Sequence, residues 1–533
     1  MVRAEQMGFE SFRRNRLPEQ SSGGSVDHCD ARIGRYCYWR GDDDDEQAPP
    51  EKPAIRDRRN TLLATLDTAA HTLTGDGWLA GQNVRYLVEA DRIDDALRFA
   101  RRDCRAESYW CFALAGFAAH AGGRFAIADS EFTHALAAMD AAERASWLDV
   151  ELLLTDDLAD RFKKVAPADR EPFVRRMMWL GAPLLSISPT DLFTEHLARV
   201  TRARIAEHSA TPDGTAWADD VRDVMVRYGW PRWYSRTRPD VGSMREPQIT
   251  GHDEGMPYDF LPRARLLDSV TVAQREDWDL DDRHAATGYA PRYARSVHDV
   301  PHQIALFRRA DSTLAVAAWD ARRDTTLIGR SLDAALVLSS DADHSSMSRA
   351  PNSKATGRIS TIGVIDSGIV SLELLATDDR RAARVRVGVP RPPTSAMQLS
   401  DLLLYVPTGD APLTLDAVRD STLTSETIPA SRSAGVYWEV YGLMLGDGQV
   451  HYTLTVEQVG TGLLRHIAEA LRFADPTTAL RIQWDEVPQV TNGIAGRGVR
   501  VDFTQLRTGR YRLQLAVSAG DRTTQAFRVV EVR

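Results

Sequence analysis

Near Pro301 the spacing of apolar residues changes from three and four to two, and this change divides the chain into unlike halves. Before it, "NTLLATLDTAAHTL", "NVRYLVEA", "IDDALRFARR", "YWCFALAGFAAHA" and "FAIADSEFTHALAAM" carry one apolar face each, as helices do. "DREPFVRRMMWLGAPLL" and "LFTEHLARVTRARIAEH" continue the pattern. After it, short alternating runs such as "HQIALFRR", "STLAVAAWD", "GIVSLELLAT", "GVYWEVYGLML" and "VHYTLTVEQV" are separated by turn residues. Strands at this spacing fit sandwiches better than a parallel sheet. In the last pair, Tyr511, Leu513, Leu515 and Val517 point one way, and Gly520-Asp521 offers a hairpin turn.

A chain of 533 residues exceeds what one core supports, so several domains are expected. Residues 1–55 read as a mostly disordered tail and acidic linker, with "SSGGS", the acid run Asp42–Glu46 and "QAPPEKP". Residues 56–165 read as helical repeats, 166–300 as a small mixed α/β domain, 301–390 as a first β-sandwich, 391–400 as a linker and 401–533 as a second sandwich. The expected class is therefore a multidomain α + β protein. Net charge is −9 with acids and bases interspersed, which argues against nucleic acid as a partner. No apolar run approaches the roughly 18–20 residues of a membrane span.

Two observations bear on compartment. The first 25 residues are polar and lack an apolar leader core, which taken literally means a cytoplasmic protein. The cysteines form two close pairs, Cys29/Cys37 and Cys104/Cys111, which suit local disulfides in an exported protein. Four free thiols are the alternative, and a true start upstream of Met1 would reconcile export with the polar beginning.

Residues 109–140 resemble a tetratricopeptide repeat, with Gly116, Gly123, Phe125, Ala128, Phe132, Ala135 and Leu136 at the small and large positions of that motif. Ile93, Ala96 and Ala100 mark a poorer preceding copy, and Ala96 and Ala128 stand 32 residues apart. The resemblance implies stacked helix pairs with a concave surface that binds proteins. Residues 214–236, "GTAWADDVRDVMVRYGWPRWYSR", resemble the domain of exported bacterial proteins named for Gly-Trp-x-Thr-Asp. Glu195 and Arg199 take that family's helix positions, Trp217 and Asp219 stand at its motif, and Tyr228-Gly229-Trp230-Pro231 closes the segment. Thr215-Ala216 before Trp217 and Ala218 before Asp219 depart from it. Val224, Val226 and Tyr228 alternate as in a strand. The C-terminal strands resemble immunoglobulin-like or fibronectin-like domains, also found at the ends of larger members of that family.

The chemical candidates are few. Val364-Ile365-Asp366-Ser367-Gly368 resembles the aspartate segment of subtilisin-type proteases, but those enzymes order aspartate, histidine and serine along the chain. After Asp366 only His451 and His466 remain, without the expected flanks, and "HSSMSRAP" precedes the aspartate. A turn explains the pentad, with Gly368 supplying a permissive dihedral. His252, Asp253, Glu254, Asp259, His284, His298 and His302 have no metal-ligand spacing. No cofactor is expected. Trp217, Asp219, Trp230, Trp233, His252 and Asp253 are the candidate partner or ligand residues, with core packing as the plainer role for the tryptophans. The function expected is a non-enzymatic protein-binding scaffold of a bacterial envelope, working through the helical surface. The alternative is a hydrolase or carbohydrate-binding protein with its site in the middle domain.

Overall fold

The computed structural model describes residues 1–20, 29–40, 48–237, 248–253, 255–391, 397–444, 447–459 and 478–533. The acid run, the Ser/Gly cluster, Glu254 and His466 lie outside the described residues.

The helices of six or more residues in the described first half are α1 (Val2–Arg14), α2 (Pro53–Thr72), α3 (Gly77–Glu89), α4 (Ile93–Arg98), α5 (Ser108–Ala121), α6 (Phe125–Ala138), α7 (Ala141–Trp147), α8 (Asp156–Lys164), α9 (Arg170–Gly181), α10 (Asp191–Ala206) and α11 (Asp219–Tyr228). Asp76 caps α3 by accepting the Leu79 N–H at 3.0 Å. Between α5 and α6 the chain turns at Gly123, whose φ of +70° suits glycine. Gly116 lets these helices close: a Cβ there would stand 2.8 Å from the Phe132 ring. α10 is buried on nearly every face and lies against α3, α5 and α6. His120 meets Thr194 at 2.9 Å, and Gln82 donates to the Ile205 carbonyl at 2.8 Å. One apolar cluster runs from Phe9 through Phe132 and Leu197 to Ala294. The boundary expected at residue 165 passes through the middle of it.

Two expectations fail here. Residues 2–14 are not a disordered tail but a docked helix, because Gln6, Phe9, Glu10 and Arg13 are buried together. Glu10 accepts hydrogen bonds from Arg85 and the Tyr86 hydroxyl, each at 2.7 Å, so a polar face finds partners inside. The segment 219–228 is helix α11, not a strand. Asp219 and Asp220 in its first turn favour the helix N-terminus, and Met225, Val226 and Tyr228 face the core.

A small three-stranded sheet, β1 (Glu19–Gln20), β4 (Trp233–Thr237) and β5 (Ile249–His252), flanks the helices. The hairpin β2 (Ala31–Ile33) and β3 (Tyr36–Tyr38), closed by the Cys29–Cys37 disulfide, docks on α11. Arg35 grips Asp220 with two bonds of 2.7 Å, and Tyr38 stacks on Tyr228 at 3.7 Å.

The second half is β, as its period implies. Strands β6 (Ser296–His298), β7 (His302–Arg309), β8 (Ser312–Asp320), β9 (Leu332–Ser339), β10 (Ser345–Ser353), β11 (Thr356–Gly363), β12 (Gly368–Ala376) and β13 (Arg381–Val389) form sheets ordered β10-β9-β12-β13-β6 and β11-β8-β7. They enclose a core of Trp319, Leu336, Leu372 and Val385. Strands β14 (Gln398–Leu399), β15 (Leu403–Tyr405), β16 (Thr427–Ile428), β17 (Ser433–Tyr441), β18 (Val450–Gln458), β19 (Thr478–Glu486), β20 (Ile494–Asp502), β21 (Gly509–Ala519) and β22 (Arg522–Val532) follow. β17 carries β14, β15 and β20, and the opposing sheet runs β16-β22-β21-β18-β19. Trp438, Leu454, Leu515 and Val530 fill the space between. The β21–β22 hairpin turns at Gly520-Asp521.

The modules are joined by buried polar clamps. From the first sandwich, Arg386 donates to the carbonyls of Leu180 and Ala182, and Arg384 to those of Ala182 and Pro183. Between the sandwiches, Gln303 exchanges hydrogen bonds with the Leu404 main chain at 2.9 and 3.0 Å, and Arg309 takes both Glu439 oxygens. Phe307, Leu403 and Tyr437 pack beneath. The described chain is a multidomain α + β protein whose modules are pinned to one another. Among the described residues no helix is long and apolar enough to cross a membrane. Both cysteine pairs are bonded, which is compatible with an exported protein.

Candidate ligand pocket

Where α10, the turn after α11 and the first sandwich meet, a polar pocket opens. Its walls are Glu195 and Arg199 of α10, residues 228–230 and Arg232, Asp253, Gly255, the loop 289–292 with Arg295, and Arg380 from the β12–β13 turn. Arg199 is the pillar. Its Nε donates to Glu195 at 2.5 Å, and its terminal nitrogens donate to the carbonyls of Arg227 at 2.6 Å and Gly288 at 2.7 Å. It thereby ties the end of α11 and the 288 loop to α10. Gly229 follows with φ of +89° and lies against the guanidinium; a side chain there would be strained.

Beneath the pocket, His120 Nε2 stands 2.5 Å from Glu195. Burial alone would raise the Glu195 carboxyl, but Arg199 and His120 outweigh it and hold the group well below the usual carboxylate range. One turn earlier, burial pushes Asp191 up to about 8, although the Tyr293 hydroxyl donates to it at 2.5 Å. The chemistry on offer is anion recognition by guanidinium groups over a charge-balanced floor.

The sequence-derived candidates separate. Trp230 and Asp253 line the pocket. Trp233 and His252 are cross-strand partners on β4 and β5 whose rings stack 3.9 Å apart. His252 also meets the Ser235 hydroxyl at 2.7 Å, but Ser235 is only 2% exposed, which closes it to a substrate. Trp217 is half-buried against the helical core and Asp219 is open to solvent at the start of α11; neither lines the pocket. The arginines of the wall, Arg232, Arg292, Arg295 and Arg380, carried no sequence pattern because they come from separate segments.

The pentad at 364–368 is a bend between β11 and β12. Asp366 is exposed. Gly368 is not at positive φ, contrary to expectation; glycine is needed for space, since a Cβ would lie 2.2 Å from the Ser339 carbonyl oxygen. "HSSMSRAP" contributes the edge strand β10, and His451 pairs with Asp485 across β18 and β19. Among the described residues no cluster of three His, Cys, Asp or Glu side chains is placed to hold a metal ion.

No family model matches the chain, and no curated protein matches it. Among solved structures, red sea bream transglutaminase is similar at 11% identity over 44% of this chain and 31% of that chain, with a TM-score of 0.13. This chain thus spans under a third of that protein, and a likeness so slight bears on neither fold family nor chemistry.

Proposed function

We propose that the protein is a non-enzymatic scaffold of a bacterial envelope that holds a protein partner on its helical module. In this reading α3–α6 are tetratricopeptide-like repeats, the segment around α10 and α11 is related to the Gly-Trp-x-Thr-Asp domain, and the two sandwiches are immunoglobulin-like. The observation that carries it is the joint at residues 180–186, where three buried charged groups of the first sandwich bond the main chain of the helical module. Such a joint fixes one module relative to the next, which is what a presenting frame requires. The bonded cysteines favour the exported compartment.

Because α10 packs against α3, α5 and α6, we place the partner surface on the opposite side of α5 and α6, where Phe112 is exposed beside His134. A photo-crosslinker at Phe112 is expected to capture a defined partner in cells, and one at the exposed Gln483 of β19 is expected to capture none. Equal capture from both positions contradicts the proposal. A second reading, a carbohydrate-binding site, draws on Trp230 and Asp253 sharing the pocket; a glycan array on the whole chain tests it.

A further inference from the structure

We infer that the pocket between α10, the 228–232 turn and the β12–β13 turn is a binding site for a small oxyanion, a phosphate or carboxylate group. Five arginines line it, Arg199, Arg232, Arg292, Arg295 and Arg380, against two carboxylates, Glu195 and Asp253, among the described lining residues. Glu195 offsets Arg199 at 2.5 Å and Asp253 carries one further negative charge, so arginines still outnumber acids among the described lining residues. Arg199 is itself consumed by main-chain carbonyls, and Arg292 donates to the Ala121 carbonyl.

Arg232 and Arg295 differ from these. Neither guanidinium has a hydrogen bond or ion pair to any described residue. Arg232 lies over the Trp230 ring at 5.1 Å, and the Nε of Arg295 is buried without an acceptor. A buried donor such as the Arg295 Nε is costly unless an acceptor reaches it. A planar guanidinium matches two oxygens of one anion in a fork, and its positive charge strengthens each bond. The wall also brings main chain close: Gly229 and Gly255 present no side chain. Arg380 belongs to the first sandwich and Arg232 to the helical half, so an anion seated here would bridge two modules. The inference is independent of the partner surface proposed above.

The test is isothermal titration of the full chain with inorganic phosphate and, separately, with acetate. Saturable one-site binding of at least one anion is expected, and the stronger of the two identifies the chemistry. Arg232→Gln and Arg295→Gln are each expected to weaken it roughly tenfold or more, while Arg322→Gln, on an exposed turn paired to Asp320, leaves it unchanged. The bound anion is also expected to raise the thermal midpoint of the unsubstituted chain, a readout that does not depend on the variants folding. Absence of saturable binding by either anion, or binding that survives both substitutions, overturns the inference.

Discussion

Glu373 on β12 and Arg386, its diagonal neighbour on β13, lie 3.6 Å apart with side chains 1% exposed, and both reach the end of α9 and the loop after it in the helical module. Glu373 accepts the N–H groups of Leu185 at 2.9 Å and Ser186 at 2.8 Å, while Arg386 donates to carbonyls just before them. Removing one partner leaves a buried charge uncompensated. Arg386→Met is therefore expected to destabilise by about 3–5 kcal/mol, read by guanidinium denaturation. Adding Glu373→Leu is expected to cost less than the sum of the single changes, because the orphaned charge disappears with it.

Glycine positions give a sharper contrast. Gly368→Ala drives a methyl group onto the Ser339 carbonyl, which is main chain and cannot swing away. Overpacking of this kind costs about 1–3 kcal/mol or more. Asp366→Ala, two residues earlier on an exposed bend, is expected to stay within about 0.5 kcal/mol. Paired melting curves of the two variants check both.

The Cys104–Cys111 bond closes a short loop between α4 and α5. A loop of this length is expected to add about 2.5 kcal/mol by restricting the unfolded chain. Protein recovered from an oxidising compartment should show no free thiol when denatured without reductant. Replacing both cysteines with serine should lower the denaturation midpoint accordingly.

Stability should depend on pH through two buried groups of α10 acting in opposite directions. Burial pushes Asp191 up to about 8, so the folded chain keeps a proton that the unfolded chain releases. That contribution is complete below the unfolded value near 3.9 and is lost as pH rises through about 8. Burial pushes His196 down to about 4, so its contribution is present above the unfolded value near 6.5 and is lost as pH falls towards 4. Between about pH 6 and 9 the stability of the chain is expected to decline, and Asp191→Asn to flatten the decline. The residual slope belongs to Asp259, pushed up to about 7 by burial. Urea titrations across that window measure the difference.

The parts of the fold visible in the sequence are those stabilised by apolar periodicity. Most strands of both sandwiches and the α5–α6 pair around Gly116 and Phe132 follow from it, and Gly520-Asp521 marks the β21–β22 turn. What escaped obeys other physics. α1 buries Gln6, Glu10 and Arg13 beside a single phenylalanine, and those polar groups bond Tyr86, Arg85 and Glu89 from a helix some 70–80 positions away. α11 offers too few turns to separate its Val-x-Val spacing from a strand. β10 is an edge strand with an exposed polar face, so it shows no alternation of apolar residues. The pocket was half-visible: Glu195, Arg199, Trp230 and Asp253 stood out, whereas Arg232, Arg295 and Arg380 meet only through tertiary packing.

Buried polar and charged groups, Arg384 and Arg386 at one joint and Gln303 and Arg309 at the other, hold the modules of this chain in fixed relation. Pulsed electron-spin distance measurement between labels at the exposed Asp67 of α2 and Gln483 of β19 tests it most directly. A single narrow distribution is expected for the otherwise unsubstituted chain, broadened by Arg386→Met. A broad or multi-peaked distribution before that substitution would contradict the account.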